Sequence, residues 1–183
     1  MYKALQETIA EMTAPGQMFS ISEVEVGGQT VKAWAMAPNS LRDIWLSTAG
    51  HADKDYLVYR DERWTYKQAH EEVARIANWL VANGIGPHDR VAIAMRNFPE
   101  WMLSYWAIAS IGAVSVGVNA WWVPEELKYG LKDSGTKLLI CDKERLARFD
   151  EVRDGFPDIK VVAVRVEEVP AWATPWSDVL KAE

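Results

Sequence analysis

Two hydrophobic periods alternate along the chain. Between residues 65 and 82, apolar residues recur every three or four positions, at Ala69, Val73, Ile76, Ala77 and Leu80, which places them on one face of a helix. The next apolar stretch, RVAIAM at 90–95, is short and continuous, as a strand covered on both faces requires. The exchange then repeats. A helix runs from Asn97-Phe98-Pro99-Glu100 to about Ile111, followed by the strand VSVGV at 114–118 and the helix PEELKYGLKDSG at 124–135. After these come the strand LLICD at 138–142, the helix DKERLARFDEV at 142–152 and the strand IKVVAVRV at 159–166. Thr65 with Gln68 forms a capping box, Asn83-Gly84 closes the first helix, and Pro124 stands near the start of the third. Strand–helix alternation of this kind predicts a three-layer α/β fold, a mainly parallel sheet with helices on both faces.

Ahead of residue 65 the signals are more local. A short helix lies in 1–20 and stops at the breaker pair Pro15-Gly16. EVEVGGQTVKAW at 23–34 alternates on both sides of Gly27-Gly28 and reads as a β-hairpin. LRDIWLSTAG at 41–50 reads as a helix ending at Gly50, and YLVYRDERWTY at 56–66 as a second hairpin with Asp61-Glu62 near its turn. The expected organisation is a lead-in over 1–50, made of a short helix, a hairpin and a helix, and an α/β subdomain over 51–183.

WMLSYWAIASIGAVSVGVNAWWV, residues 101–123, contains no charged residue and is long enough to span a bilayer, which takes about 20 residues. Three features oppose that reading. Gly112 divides the run, Ser104, Ser110, Ser115 and Asn119 suit lipid poorly, and the alternation on either side requires a strand here. The run is therefore expected to be a buried helix followed by a buried strand, with no transmembrane segment.

With 183 residues, 49% of them hydrophobic and 25% charged, the chain can build a real core. A net charge of −6 argues against a nucleic-acid partner. The single Cys141 excludes an intramolecular disulfide and suits a reducing compartment. The opening MYKALQETIAEM carries Glu7 and Glu11 without an apolar core, so no secretory signal is read there, and a cytoplasmic location is expected.

Most apparent motifs dissolve on inspection. GLKDSGTK at 130–137 resembles a phosphate-binding loop, but Thr136 precedes Lys137 and the context is helix–loop–strand, so a helix C-cap at Gly135 explains it. GAVSVG at 112–117 holds its glycines within a strand, where packing accounts for them. His51, His70 and His88 lie in different elements without ligand spacing, and no metal site is expected. Cys141 has no adjacent base and is expected to be an inert buried thiol. No catalytic residue is assigned.

Ligands of open α/β sheets gather at the carboxyl ends of the strands. Those ends carry Arg96-Asn97, Asn119-Ala120-Trp121-Trp122 and Cys141-Asp142. Asn97 and Asp142 are accounted for as helix N-caps. Arg96, Asn119, Trp121 and Trp122 remain as candidates for contact with substrate or cofactor. For the two indoles, packing against a neighbouring domain is the favoured alternative.

The stretch RWTYKQAHEEVARIANWLVANGIGPHDRVAIAMRNFPEWMLSYWAIASIGAVSVGVN, residues 63–119, resembles the start of the adenylate-forming acyl-CoA synthetases. The likeness rests on Thr65-Tyr66 opening a helix, the Gly84/Gly86 turn before Asp89-Arg90-Val91, and Asn97 with Glu100. Gly112-Ala113 and Asn119 followed by Glu126-Leu127 continue it. Ala37-Pro38-Asn39-Ser40-Leu41 is similar to the lead-in of fatty-acyl members, and the resemblance runs from about residue 25 to 180. It implies the first subdomain of a large domain whose enzymes use ATP, Mg²⁺ and CoA to make an acyl-adenylate and then a thioester. At Asn119-Ala120-Trp121 many relatives continue Asn-Pro-Arg, and that Arg has been linked to CoA in some members. Trp121 supplies no such charge.

The family's Ser/Thr/Gly-rich loop ending in Pro-Lys-Gly, its Tyr-Gly-x-Thr-Glu segment, its ribose-binding Asp and its C-terminal catalytic Lys are not among these 183 residues. The expectation is an N-terminal fragment of an AMP-forming acid–CoA ligase, with a fatty-acyl substrate, inactive alone and binding none of the cofactors tightly. Its partners would be the remainder of the large domain and the C-terminal domain. Self-association is expected through Trp121, Trp122, Trp172 and Trp176, read as exposed loop residues. The competing readings are a freestanding flavodoxin-like small-ligand module and an interaction protein.

Overall fold

The computed structural model describes residues 2–183. They form two compact units divided between Asp43 and Ile44. In the first, helix α1 (Tyr2–Met12) precedes a hairpin of β1 (Ile21–Val26) and β2 (Gln29–Trp34). Gly27 and Gly28 make the two-residue turn at φ +59° and +79°, the left-handed pair that a tight hairpin needs and that glycine adopts without strain. Helix α2 (Leu41–Ser47) runs across the division and begins after Ser40, whose Oγ accepts from the Asp43 N–H at 3.1 Å.

The second unit contains a 3₁₀ turn (Thr48–His51), then the hairpin of β3 (Asp55–Tyr59) and β4 (Glu62–Thr65). Its turn is Arg60-Asp61, with Arg60 at φ +52°. Asp61 lies in that turn and Glu62 directly after it, opening β4. Helix α3 (Tyr66–Ala82) follows, capped reciprocally by Thr65 and Gln68. The remaining elements are β5 (Arg90–Ala94), α4 (Pro99–Ser110), β6 (Val114–Gly117), α5 (Pro124–Ser134), β7 (Leu138–Asp142), α6 (Lys143–Asp150) and β8 (Lys160–Val164). The sequence pattern missed the last two, β9 (Thr174–Pro175) and α7 (Trp176–Val179). Two and four residues are too few to show a period.

The five-stranded sheet runs β6-β5-β7-β8-β9, every pair parallel. Alternate residues feed two cores, as the pleat dictates. Val91, Ile93, Leu138, Ile140, Val162 and Val164 meet α3, α4 and α7 on one face. Ala92, Ala94, Leu139, Cys141, Val161 and Ala163 meet α5 and α6 on the other. With helices on both faces the strands can be continuously apolar, which is what the sequence showed.

The uncharged run resolves as helix α4 and strand β6, separated by Gly112 at φ +74°. Among the described residues no helix is long and apolar enough to cross a membrane. Asn97 is not the cap of α4. Pro99 occupies the first helical position, where its missing N–H costs nothing. The residue before a proline is driven to extended backbone, so Phe98 becomes the N-cap at φ −83°, ψ 158° without a side-chain bond.

The surface of four exposed tryptophans is also not present. Trp121 is 67% exposed, but Trp122 and Trp172 pack on the α5/α6 core and Trp176 on the other. Trp122 explains a glycine inside a helix. A Cβ on Gly130 would collide with Cζ3 of the Trp122 ring. Alanine there gains about 1 kcal/mol of helix propensity, but displacing a seated indole costs about 1–3 kcal/mol. Gly130→Ala should therefore lower the urea midpoint.

Candidate functional site at the strand switch point

The strand order corresponds to 2-1-3-4-5 in chain sequence, the flavodoxin arrangement, and it reverses direction between β5 and β7. At such a reversal the connecting helices leave toward opposite faces and open a crevice above the carboxyl ends of the strands. Here that crevice is a cleft of about 670 Å³, walled by the ends of β5, β7 and β8, the loop after β6 and the tip of the β3–β4 hairpin. Its size falls within the roughly 300–1,000 Å³ of ligand pockets.

Asp142 is the knot that joins its two central strands. At the end of β7 it caps α6, accepting the Arg145 N–H at 3.2 Å. Its other oxygen accepts the Arg96 N–H at 3.0 Å, which ties the end of β5 to the end of β7. The Arg145 guanidinium completes the group with bonds of 3.0 and 3.2 Å to the same carboxylate. Both side chains are almost fully buried, at 2% and 6% exposure. Arg145 Nε also donates to the Ala120 carbonyl at 2.7 Å, and Arg148 donates to the Ala120 and Trp122 carbonyls at 2.9 Å each. Two arginines of α6 thus pin the loop that follows β6. Nearby, burial drives the Cys141 thiol far above its ordinary pKa, helped by the charge of Asp142. It stays protonated and inert.

Another arginine closes the other wall. Arg165 follows β8 at φ +55°. Its Nη1 and Nη2 donate to the two Glu62 oxygens at 2.8 Å each, and its Nε donates to Glu100 at 3.0 Å. Its guanidinium also lies 5.1 Å from the Tyr59 ring centroid and 5.0 Å from that of Phe98. The hairpin, the start of α4 and the end of β8 therefore meet on one side chain. Sequence reasoning missed both hubs. Arg145 left a trace as the i+3 neighbour of the capping Asp142, whereas the partners of Arg165 are 65 and 103 residues away.

Two of the four candidates come together. The Arg96 guanidinium stacks over the Trp121 ring at 4.8 Å, and both line the cleft. Asn119 turns to its own loop, its Oδ1 accepting the Trp121 N–H at 2.9 Å. Trp122 lies against α5, away from the cleft lining. Lys143 and Arg60 also face the cleft. Arg96 and Lys143 have no carboxylate partner among the described residues. The lining carboxylates Asp142 and Glu144 are both paired with Arg145, so in a chain of net charge −6 this edge is locally cationic and suited to an anion.

The family model for AMP-binding enzymes matches residues 44–182. The chain belongs to that family. Among its curated relatives, the crotonobetaine/carnitine–CoA ligase of Salmonella typhimurium is 30% identical over 139 residues, covering 72% of this chain and 27% of the relative. Among solved structures, the anthranilate CoA ligase AuaEII in complex with anthranoyl-AMP superposes with a TM-score of 0.73 at 25% identity. That match covers 77% of this chain and 27% of the other. The inhibitor-bound N-terminal domain of FACL13 from Mycobacterium tuberculosis gives 0.63 at 25% identity, over 79% and 36%. The chain thus spans about a quarter of the length of the curated relatives it matches, 27% in the case above.

Proposed function

We propose that this AMP-binding family chain is the opening portion of the large domain of an AMP-forming acid–CoA ligase, and that its switch-point cleft receives a phosphate-bearing part of CoA. One observation carries the reading of the cleft. Arg96 lies over Trp121 and brings a positive charge, from the segment just after β5, to the loop where the family resemblance places an arginine in many members. Trp121 then acts as the shelf that orients this guanidinium, and Lys143 and Arg60 add charge at the rim. Asn119 and Trp122 hold the loop in shape.

The short coverage of relatives supports the view that this is a portion of a larger synthetase. The lead-in Ala37-Pro38-Asn39-Ser40-Leu41 supports a fatty-acyl substrate, and the single cysteine a cytoplasmic enzyme. ATP, with Mg²⁺ neutralising its phosphates, supplies the activation of the acid when bound. No residue of this chain is assigned to hold either. Formation of an acyl-adenylate needs positioned groups against developing phosphoryl charge, so the chain alone is expected to be inert.

The reading is tested on the complete ligase with Arg96→Ala. Losing one charge-assisted contact raises KM for CoA roughly tenfold. Acid-dependent ATP–pyrophosphate exchange, which does not involve CoA, keeps its rate. An unchanged KM for CoA would remove Arg96 from the site.

A further inference from the structure

The two carboxylates on Arg165 are not equivalent. Glu100 is buried at 7% exposure and approaches Nε. Glu62 has 42% of its side chain exposed and takes both outer nitrogens in a paired, fork-like contact. Paired N–H donors of an arginine match a carboxylate and a phosphate equally well. A half-exposed pair contributes little net stability, because water readily replaces either partner. Arg165 itself lines the cleft, whereas Glu62 does not. The cleft therefore contains a phosphate-matching fork that is occupied by one of the protein's own carboxylates, on a hairpin whose tip carries Arg60.

We propose that Arg165 is an anion-binding residue of the cleft held in reserve by Glu62, which yields the outer nitrogens when a phosphate group enters. This rests on the reading of the cleft as a ligand site. Glu100 keeps the guanidinium in place during the exchange, since its buried carboxylate would lose its ion pair if it let go. Tyr59 and Phe98 flank the plane and hold its orientation. The released Glu62 moves into solvent, and Arg60 loses a nearby opposing charge. The exchange selects oxyanions that present two acceptor oxygens over anions with one, because only they can replace both contacts made by Glu62.

The test is a titration of the 183-residue chain with inorganic phosphate, followed by NMR, over a cycle of Glu62→Gln, Arg165→Met and the double variant. Glu62→Gln should tighten phosphate binding about tenfold, the size of one charge-assisted contact. Arg165→Met should weaken phosphate binding in the parent, because Glu62 yields the fork there too, and should abolish the gain in the Glu62→Gln background. Should Arg165→Met fail to fold, Arg165→Lys takes its place, because an ammonium cannot present the paired donors. Unchanged binding in Glu62→Gln overturns the proposal. So does a double variant that binds as tightly as Glu62→Gln, since the gain would then be a general effect of charge. Arg96→Ala separates the two levels. If it weakens phosphate binding while Glu62→Gln does not tighten it, masking alone fails. If Arg96→Ala has no effect in any background, the cleft is not the site and both readings fall.

Discussion

Arg145→Ala should destabilise the chain by about 3–5 kcal/mol, the cost of leaving one member of a buried ion pair alone. The guanidinium is 2% exposed and its carboxylate partner 6%. Removing it strands Asp142 between the Arg96 and Arg145 backbone N–H groups, with its counter-charge gone. The Ala120 carbonyl keeps only Arg148. The damage should be confined to the carboxyl edge, so the loop at 119–122 should gain hydrogen exchange before the strand interiors do. Pairing Arg145→Met with Asp142→Asn is the informative control. The introduced amide can still cap α6, and no buried charge remains, so the double variant should recover much of the loss. Urea midpoints of the two singles and the double give the coupling directly. Additive losses would mean that the two side chains do not act as a pair.

Phe149→Ala should cost a similar amount, about 3–5 kcal/mol, for a different reason. The ring is fully buried in the α5/α6 core. Its centroid lies 5.9 Å from that of Phe156 and 6.1 Å from that of Trp172. Phe149 is four residues beyond Arg145 on α6, so the side chain that packs the helix and the one that builds the cleft share a face. The cavity left by alanine should loosen α6 and raise exchange at 143–150. Leucine at the same position fills most of the volume and should cost appreciably less. If alanine and leucine proved equally mild, α6 would be held by its Asp142 cap and arginine bonds, and not by packing.

The periodic part of the fold was legible in the residues because burial imposes it. Strands covered on both faces must be continuously apolar, and α3 must place Ala69, Val73, Ile76 and Leu80 on one side. Turns that depend on one residue's conformational freedom were also legible, as at Gly27-Gly28 and Gly135. What stayed hidden depends on three-dimensional neighbours. Whether an indole is exposed depends on what the loop folds back onto, so Trp122, Trp172 and Trp176 resembled Trp121 in sequence and differ in the structure. The start of α4 was misassigned to Asn97 because proline geometry, and not the polar side chain, chose the cap. For the candidate site, Arg96 and Trp121 could be placed at strand ends, but their stacking could not be foreseen. Arg165 sat unremarked in IKVVAVRV, although a lone arginine closing an apolar strand was a signal available to read.

In the function proposed above, these residues serve an AMP-forming acid–CoA ligase and need further segments for its chemistry. The most direct measurement is acid-dependent ATP–pyrophosphate exchange, made on the 183-residue chain and on the protein translated with any reading frame that continues beyond Glu183. Exchange is expected in the longer protein when a fatty acid is present, and none above background in the chain alone. Exchange by the 183-residue chain itself would contradict it, since the adenylating groups would then have to lie among residues assigned here to holding the fold and to binding an anion.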